Sequence, residues 1–559
     1  MSNDPGENPN EVVLPAAQDE QGRHVFQHAL TPTDDQRDKV VRVRQRAVIP
    51  VIFLPGAIGT NLRSKDSHKR AWRAPNPSYW WQPPFIDLGQ MISALFMYIF
   101  RTAKGRQRIW NPLVVEPDPN GPIRKTERAR ISRKVARARN WGMVHSQSYH
   151  PFMAELQFRL NTMQLHRMPN EWWKEEWATA TPADYGEGKG APELTDAHWK
   201  QAERYRYDVW AGGYNWLQSC NDSAAELKNY IENTVLAFYA HPDNAEPAEK
   251  VILVTHSMGG LVSRALTELQ GYEKVLGVVH GVMPDTGAPL VYHHCRRGYE
   301  KEGILWGFFD FLPTFLGKNT KHVTAVMGNS PGALELAPSP NYNQGKPWLY
   351  LRDSHNNNHR ALPERGDVYG EIYTSTAWYG LVPEYNTKYL DLSKDSNKED
   401  QVSIKDEREK FNDLIDGADK FHKSIATQYH PETYVYFGDD SKRKSFDIVE
   451  WKGDWQAMEK QDMADFKDNH NGQIHAGTGT VDFQKSSGPG DGTVPTASAE
   501  QPARGAVRAV FRQGMNGKGS KNTGKKGFDH QDSYNDERAQ WAALYSIIMI
   551  AQQANWYGK

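Results

Sequence analysis

The stretch Val251-Ile-Leu-Val-Thr-His-Ser-Met-Gly-Gly260 constrains the chain more than any other. An unbroken apolar run reads as a buried strand, and the small residues after it permit a sharp turn into the helical pattern of Leu261 to Gln270. Ser257 stands at that turn. A serine hydroxyl is a poor nucleophile until a base removes its proton, and a strained strand-to-helix turn holds it clear of the backbone, where a histidine can reach it. The pattern is G-x-S-x-G with Thr255 at the first glycine and Gly259 at the last. Threonine brings a Cβ and a methyl to a position that packs closely under the turn, so the stretch alone leaves an ordinary strand and turn open.

Other parts of the chain decide the matter. A length of 559 residues allows one large core with substantial insertions, or two to three domains. The net charge of -1, from 67 basic and 68 acidic residues, gives no reason to expect a nucleic-acid partner, and any membrane contact must be local. Cys220 and Cys295 form neither a disulfide framework nor a metal spacing. Met1 to Asn10 has no basic region followed by an apolar one, so no signal peptide is expected. The window Phe85 to Phe100, at about sixteen residues, is short of the roughly 20 needed to span a bilayer. The 18 tryptophans and 25 tyrosines suit either a membrane interface or a large core, and composition does not choose between them.

In chain order, residues 1–45 read as a loosely attached leader. Val48 to Leu54 is a strong strand signal within a first core segment, 46–64. The Gly-rich turn Pro55-Gly-Ala-Ile-Gly-Thr60 follows, and Ala57 is its candidate donor of a backbone N–H to an oxyanion. Residues 65–140 read as an insertion ending in a basic run, Arg124 to Arg139, which could meet phospholipid headgroups or simply form a solvated face. Residues 141–300 alternate strands and helices around the Ser257 turn, as a parallel sheet with covering helices requires. Residues 301–430 depart from that alternation and are expected to form a cap or lid. Within them Ile304 to Leu316 is the most apolar stretch and the candidate lid, although packing onto the sheet domain would explain it equally. Residues 431–559 resume the strand pattern at Thr433 to Phe437 and Gly505 to Phe511.

An activated serine needs a histidine, and the histidine a carboxylate. Ser486-Ser-Gly-Pro-Gly-Asp-Gly-Thr-Val-Pro495 presents Asp491 on a glycine-flanked loop, and Gly527-Phe-Asp-His-Gln-Asp-Ser-Tyr534 presents His530 before a terminal helix. The order serine, aspartate, histidine is that of the α/β-hydrolase sheet. Asp285, which ends the strand after the Ser257 turn, is the alternative acid. His256 adjoins the serine in sequence but should point away from it, for packing or orientation. His293, His294 and Asp310 could be imagined around a metal, but their spacing matches no metal motif, and neither a metal nor another cofactor is expected.

Val51-Ile-Phe-Leu-Pro-Gly-Ala-Ile-Gly-Thr-Asn-Leu62, Tyr207 to Trp216, His256-Ser-Met-Gly259 and Gly490-Asp-Gly-Thr-Val494 together resemble the lecithin:cholesterol acyltransferase-like branch of the α/β-hydrolases. That resemblance implies an oxyanion hole built from the backbone N–H groups of Ala57 and Met258. The whole chain more closely resembles the type VI secretion lipase effectors of family 3, antibacterial toxins that attack phospholipids in a rival's periplasm. This implies an α/β-hydrolase fold with large cap insertions, synthesis in the cytoplasm, and export by a type VI spike or adaptor protein. It also implies a phospholipid substrate and a cognate immunity protein. An acyltransferase of the same fold and a non-catalytic lipid- or partner-binding protein are the alternatives.

Overall fold

The computed structural model describes residues 47–73, 102–124, 128–165, 168–169, 181–242, 246–299, 317, 319–390, 404–485, 488–514 and 528–557, with short strand pairings and residue 34 before position 47. Among these residues, seven strands form the central sheet: β1 (Val48–Leu54), β2 (Glu187–Lys189), β3 (Arg206–Ala211), β4 (Val251–His256), β5 (Val275–Gly281), β6 (Thr433–Gly438) and β7 (Ala509–Gln513). Their order across the sheet is β2-β7-β6-β5-β4-β1-β3. Every pairing is parallel except that of the edge strand β2, which runs antiparallel to β7.

Strands β1, β4 and β5 are buried along their whole length. Their apolar runs are unbroken because helices cover both faces of the sheet, so every position, in and out, must be apolar. The helices of the chain include α1 (Ser146–Asn161), α2 (Cys220–Tyr230), α3 (Gly259–Arg264), α4 (Leu290–Arg297), α5 (Ile404–Ile425) and α6 (Glu537–Ile550). Ile49, Val51 and Phe53 pack with residues of α1 and α6 in one core, whereas Val48, Ile52 and Leu54 pack with residues of α2 and α3 in another. This is the α/β-hydrolase fold expected from the sequence.

Two excursions leave the C-terminal ends of neighbouring strands, one between β5 and β6 and one between β6 and β7. They meet in a second sheet of six strands, in which Leu349–Arg352 pairs parallel with Val449–Gly453. Residues 449–483, which sequence groups with the final core segment, therefore supply strands to this cap. The cap has its own core, containing Tyr292, Trp348, Trp378, Trp451 and Phe483. Helix α5 joins the two bodies: Phe411, Ile415 and Ala418 belong to the cap core, and Phe421 and Ile425 to the core beneath the sheet.

Among the described residues, the aromatic side chains go mainly into these cores. Among the described residues, every tryptophan is buried except Trp199, which is half-buried. Among them, too, no helix is long and apolar enough to cross a membrane. The windows 85–100 and 304–316 lie outside the described residues, so the candidate lid is not placed.

The described part of the basic run before residue 140 is mostly exposed, but its last arginines are tied into the fold. Arg137 donates to the carbonyl oxygens of Pro119 and Gly121, and the buried Arg139 pairs with Asp208 of β3 at 2.8 Å. Asp208 also meets Arg206 at 3.0 Å and accepts from the Tyr239 hydroxyl at 2.9 Å. Burial alone would raise the Asp208 pKa, but Arg139 and Arg206 outweigh it and hold the group at about 2.

A carboxylate whose folded pKa lies below its unfolded one adds stability that is complete above the unfolded value, near pH 4, and is lost as pH falls through about 2. Asp208→Asn should therefore lower the thermal midpoint at pH 7, with a pH-dependent part of roughly 2 to 3 kcal/mol. Unfolding curves of both proteins between pH 7 and pH 2 should converge towards the acid end. A gap that stays constant with pH would contradict the ion-pair account.

Candidate active site

The strands end together, and the site lies on that edge, as in other open parallel sheets. Strand β4 runs into Ser257, whose backbone adopts φ 53°, a left-handed conformation that a serine seldom takes. The strain is held by β5, since the Ser257 N–H donates to the Gly281 carbonyl at 2.8 Å. Gly259 is obligatory: a Cβ there would lie 2.7 Å from the carbonyl oxygens of Leu54 and Pro55. Thr255 is accommodated because its side chain finds a partner, with its hydroxyl 3.2 Å from Nδ1 of His280 on β5. The close approach occurs one residue along β5, where a Cβ on Gly281 would lie 2.9 Å from the Thr255 carbonyl oxygen.

His530 and Asp491 come to this serine from distant parts of the chain. His530 Nε2 lies 3.0 Å from Ser257 Oγ, and His530 Nδ1 lies 2.7 Å from Asp491 Oδ2. The other carboxylate oxygen of Asp491 accepts the N–H groups of Thr493 at 3.0 Å and Val494 at 2.7 Å, which fixes the carboxylate plane. Gly492, at φ 93°, allows that tight loop. The His530 N–H donates to the Asp491 carbonyl at 2.8 Å, so the two loops are joined through backbone as well as side chains. With Nδ1 donating to a carboxylate, Nε2 is left to accept the serine proton.

The loop after β1 faces the serine. Tyr214 donates its hydroxyl to the Pro55 carbonyl at 2.7 Å, and the Trp72 indole donates to the Ile58 carbonyl at 2.7 Å. Ile58 sits at φ 60°, and the Gly59 N–H closes the turn on the Gly56 carbonyl at 3.0 Å. Among the described residues, the N–H groups of Ala57 and Met258 have no acceptor. Two unclaimed donors beside a serine hydroxyl that is bonded to a histidine are what a developing oxyanion would require. Trp72 and Tyr214 carry no sequence signal for this task, because each reads there as an ordinary aromatic.

A cavity of about 360 Å³ opens over Ser257 and His530. Ile58, Leu290, Val291, Met327, Leu336 and Phe446 make one part of its lining apolar, and Arg297, Arg443 and Lys485 bring positive charge to it. Arg443 pairs with Asp529, next to His530, at 2.9 Å.

The remaining candidates lie elsewhere or act otherwise. Asp285, the alternative acid, is not at His530: it is buried against Arg264 at 2.9 Å and accepts the Tyr429 hydroxyl. His256 points away from the serine hydroxyl, with Nε2 3.0 Å from the His530 carbonyl oxygen. His293 stacks on Phe446 at 4.4 Å and His294 on Tyr299 at 3.7 Å, while Asp310 lies outside the described residues.

Comparisons with known proteins agree with this fold. The family model of the PGAP1-like alpha/beta domain matches residues 218–300, the span that holds β4, Ser257 and β5. No curated protein matches the chain. Among solved structures, a chain of the Tle4–Tli4 complex superposes with a TM-score of 0.80 at 43% identity, over 92% of this chain and 100% of that one.

The position of Asp285 makes a stability prediction. Asp285→Ala leaves the buried Arg264 guanidinium without its carboxylate and should cost about 3 to 5 kcal/mol in denaturant unfolding. Turnover per folded molecule should be unchanged. A variant of wild-type stability with a collapsed rate would return Asp285 to the role of catalytic acid.

Proposed function

Because the chain belongs to the type VI secretion lipase effectors represented by Tle4, we propose that it is a serine lipase that hydrolyses ester bonds of membrane phospholipids through Ser257, His530 and Asp491. The effector class is the one expected from sequence, and the relative in it is Tle4 rather than a member of family 3. The observation that carries the reading is the continuous set of bonds from Asp491 through His530 to Ser257, opening on a cavity that is partly apolar and partly basic.

In this mechanism His530 Nε2 takes the Ser257 proton as Oγ attacks the ester carbonyl. Asp491 holds the imidazole in the tautomer with hydrogen on Nδ1 and stabilises the imidazolium that forms. The N–H groups of Ala57 and Met258 receive the oxyanion. His530 then returns its proton to the departing alcohol and activates a water that releases the fatty acid. The apolar lining suits an acyl chain, and the basic residues suit a phosphate-bearing headgroup.

Tle4 is bound to Tli4 in the solved complex, and by analogy this chain too is held by a cognate immunity protein. Delivery by a type VI spike or adaptor protein and action on phospholipid in the periplasm of a target cell complete the proposal. Mass spectrometry of vesicles of phosphatidylethanolamine and phosphatidylglycerol after incubation with the protein tests it. Fatty acid and lysophospholipid should accumulate; intact lipid with active hydrolysis of other esters would reject a phospholipid substrate. Ester transfer to an added alcohol in preference to water would favour the acyltransferase alternative.

Two substitutions follow from the roles. Ser257→Ala should lower turnover by about 10⁶-fold and leave the fold intact. Asp491→Asn should lower it by about 10⁴-fold, because the neutral amide favours the wrong histidine tautomer. Steady-state rates on a soluble ester, normalised to folded protein, check both.

A further inference from the structure

We propose that His256 and Tyr149 are positioning residues, which form a one-way hydrogen-bond chain tying the loop that carries the base to the loop that carries the oxyanion donor. The inference rests on the serine-hydrolase reading of the site. It starts from the fact that His256, next to the nucleophile, spends both ring nitrogens away from it.

His256 Nε2 lies 3.0 Å from the His530 carbonyl oxygen. Its Nδ1 lies 3.3 Å from the Tyr149 hydroxyl, and the Gly56 N–H donates to that hydroxyl at 3.2 Å. Each link has one permitted direction. A carbonyl oxygen only accepts, so Nε2 of a neutral His256 carries the hydrogen and Nδ1 is the acceptor. Tyr149 must then donate its hydroxyl hydrogen to Nδ1, which leaves its oxygen to accept from Gly56. Burial, reinforced by His530, pulls the His256 pKa down to about 3, and burial pushes that of Tyr149 up to about 12. The chain therefore keeps the same protons throughout the working range of a histidine base.

Packing prevents the links from sliding. The His256 ring lies 5.1 Å from that of His530 and 5.2 Å from that of Tyr534, and Tyr149 lies 5.0 Å from both Phe53 and Tyr534. Gly56 is pressed against the pair, since a Cβ there would lie 2.8 Å from His256 Nδ1 and 3.0 Å from Ser257 Cβ. Tyr149 fixes the N–H side of Gly56, and the Gly59 N–H fixes its carbonyl. The Gly56 carbonyl and the Ala57 N–H share one planar peptide, so fixing the first sets the direction of the second. Through this chain the aim of an oxyanion donor and the place of the base are set by a common support.

The sequence places Tyr149 one turn before Phe152 on α1, where it reads as another core aromatic. Only its hydroxyl distinguishes it, and Tyr149→Phe removes that hydroxyl while keeping the ring. His256→Leu breaks both links. His256→Gln can restore them, because its amide nitrogen donates and its amide oxygen accepts.

The test uses the full chain, p-nitrophenyl butyrate as a soluble ester, an alkylboronic acid that forms a tetrahedral adduct with serine, and fluorophosphonate titration to count competent sites. Tyr149→Phe and His256→Leu should lower kcat per titrated site by about 10- to 100-fold, the scale of a displaced catalytic group. KM should change little. Boronate affinity should fall by the same factor as kcat, and His256→Gln should recover most of both. A purely structural role would lower the number of titrated sites and the unfolding midpoint while each surviving site kept its full rate, and that result would overturn the proposal. So would a Tyr149→Phe protein whose kcat and boronate affinity match wild type. A wild-type protein that neither cleaves the ester nor takes the fluorophosphonate would sink the hydrolase reading itself, and this inference with it.

Discussion

The left-handed backbone at Ser257 is the constraint on which the rest depends. It is unfavourable for a residue with a Cβ, and it persists because β5 holds the serine N–H and because Gly259 lets the following turn pass close to the carbonyls of Leu54 and Pro55. Those contacts require β1, β4 and β5 to lie side by side with their ends level, which the central parallel sheet provides. The sheet in turn requires apolar residues on both faces and helices to cover them. Strain at one residue is thus supported by burial across two cores.

The same edge explains why the cap stands where it does. Both excursions leave the sheet at the ends of β5 and β6, so both emerge beside the serine, and their strands pair with one another rather than with the central sheet. The cavity is consequently walled by parts of both bodies: Ile58 comes from the sheet domain, whereas Leu290 and Phe446 come from the excursions. Asp491 belongs to the second of these, so its carboxylate reaches His530 from the returning arm of the cap.

Much of this was legible in the sequence wherever one local rule dominated. The strands Val48–Leu54 and Val251–His256 are runs that only double-sided burial explains, and the glycines around Asp491 mark a tight loop. The glycine-flanked loop favoured Asp491 over Asp285, but the partner that occupies Asp285 was not legible, because Arg264 lies on the far side of the Ser257 turn. The second sheet was hidden for a different reason. Its strands are short, come from two separate segments, and include polar pieces such as Lys467–Asp468 that have no strand pattern of their own. The edge strand Glu187–Lys189 is charged with a central glycine and becomes a strand only because β7 offers it an edge. Thr255 looked like a defect in the motif until its hydroxyl was placed against His280.

The central claim is that one serine, raised on a strained turn and bonded to His530, is the nucleophile. Peptide mapping by mass spectrometry after treatment with a fluorophosphonate tests it most directly, because the reagent marks serines that a neighbouring base has activated. The adduct should fall on the peptide containing Ser257 and on no other, and it should disappear when His530 is replaced by alanine. An adduct on a different serine, or equal labelling with and without His530, would contradict the account.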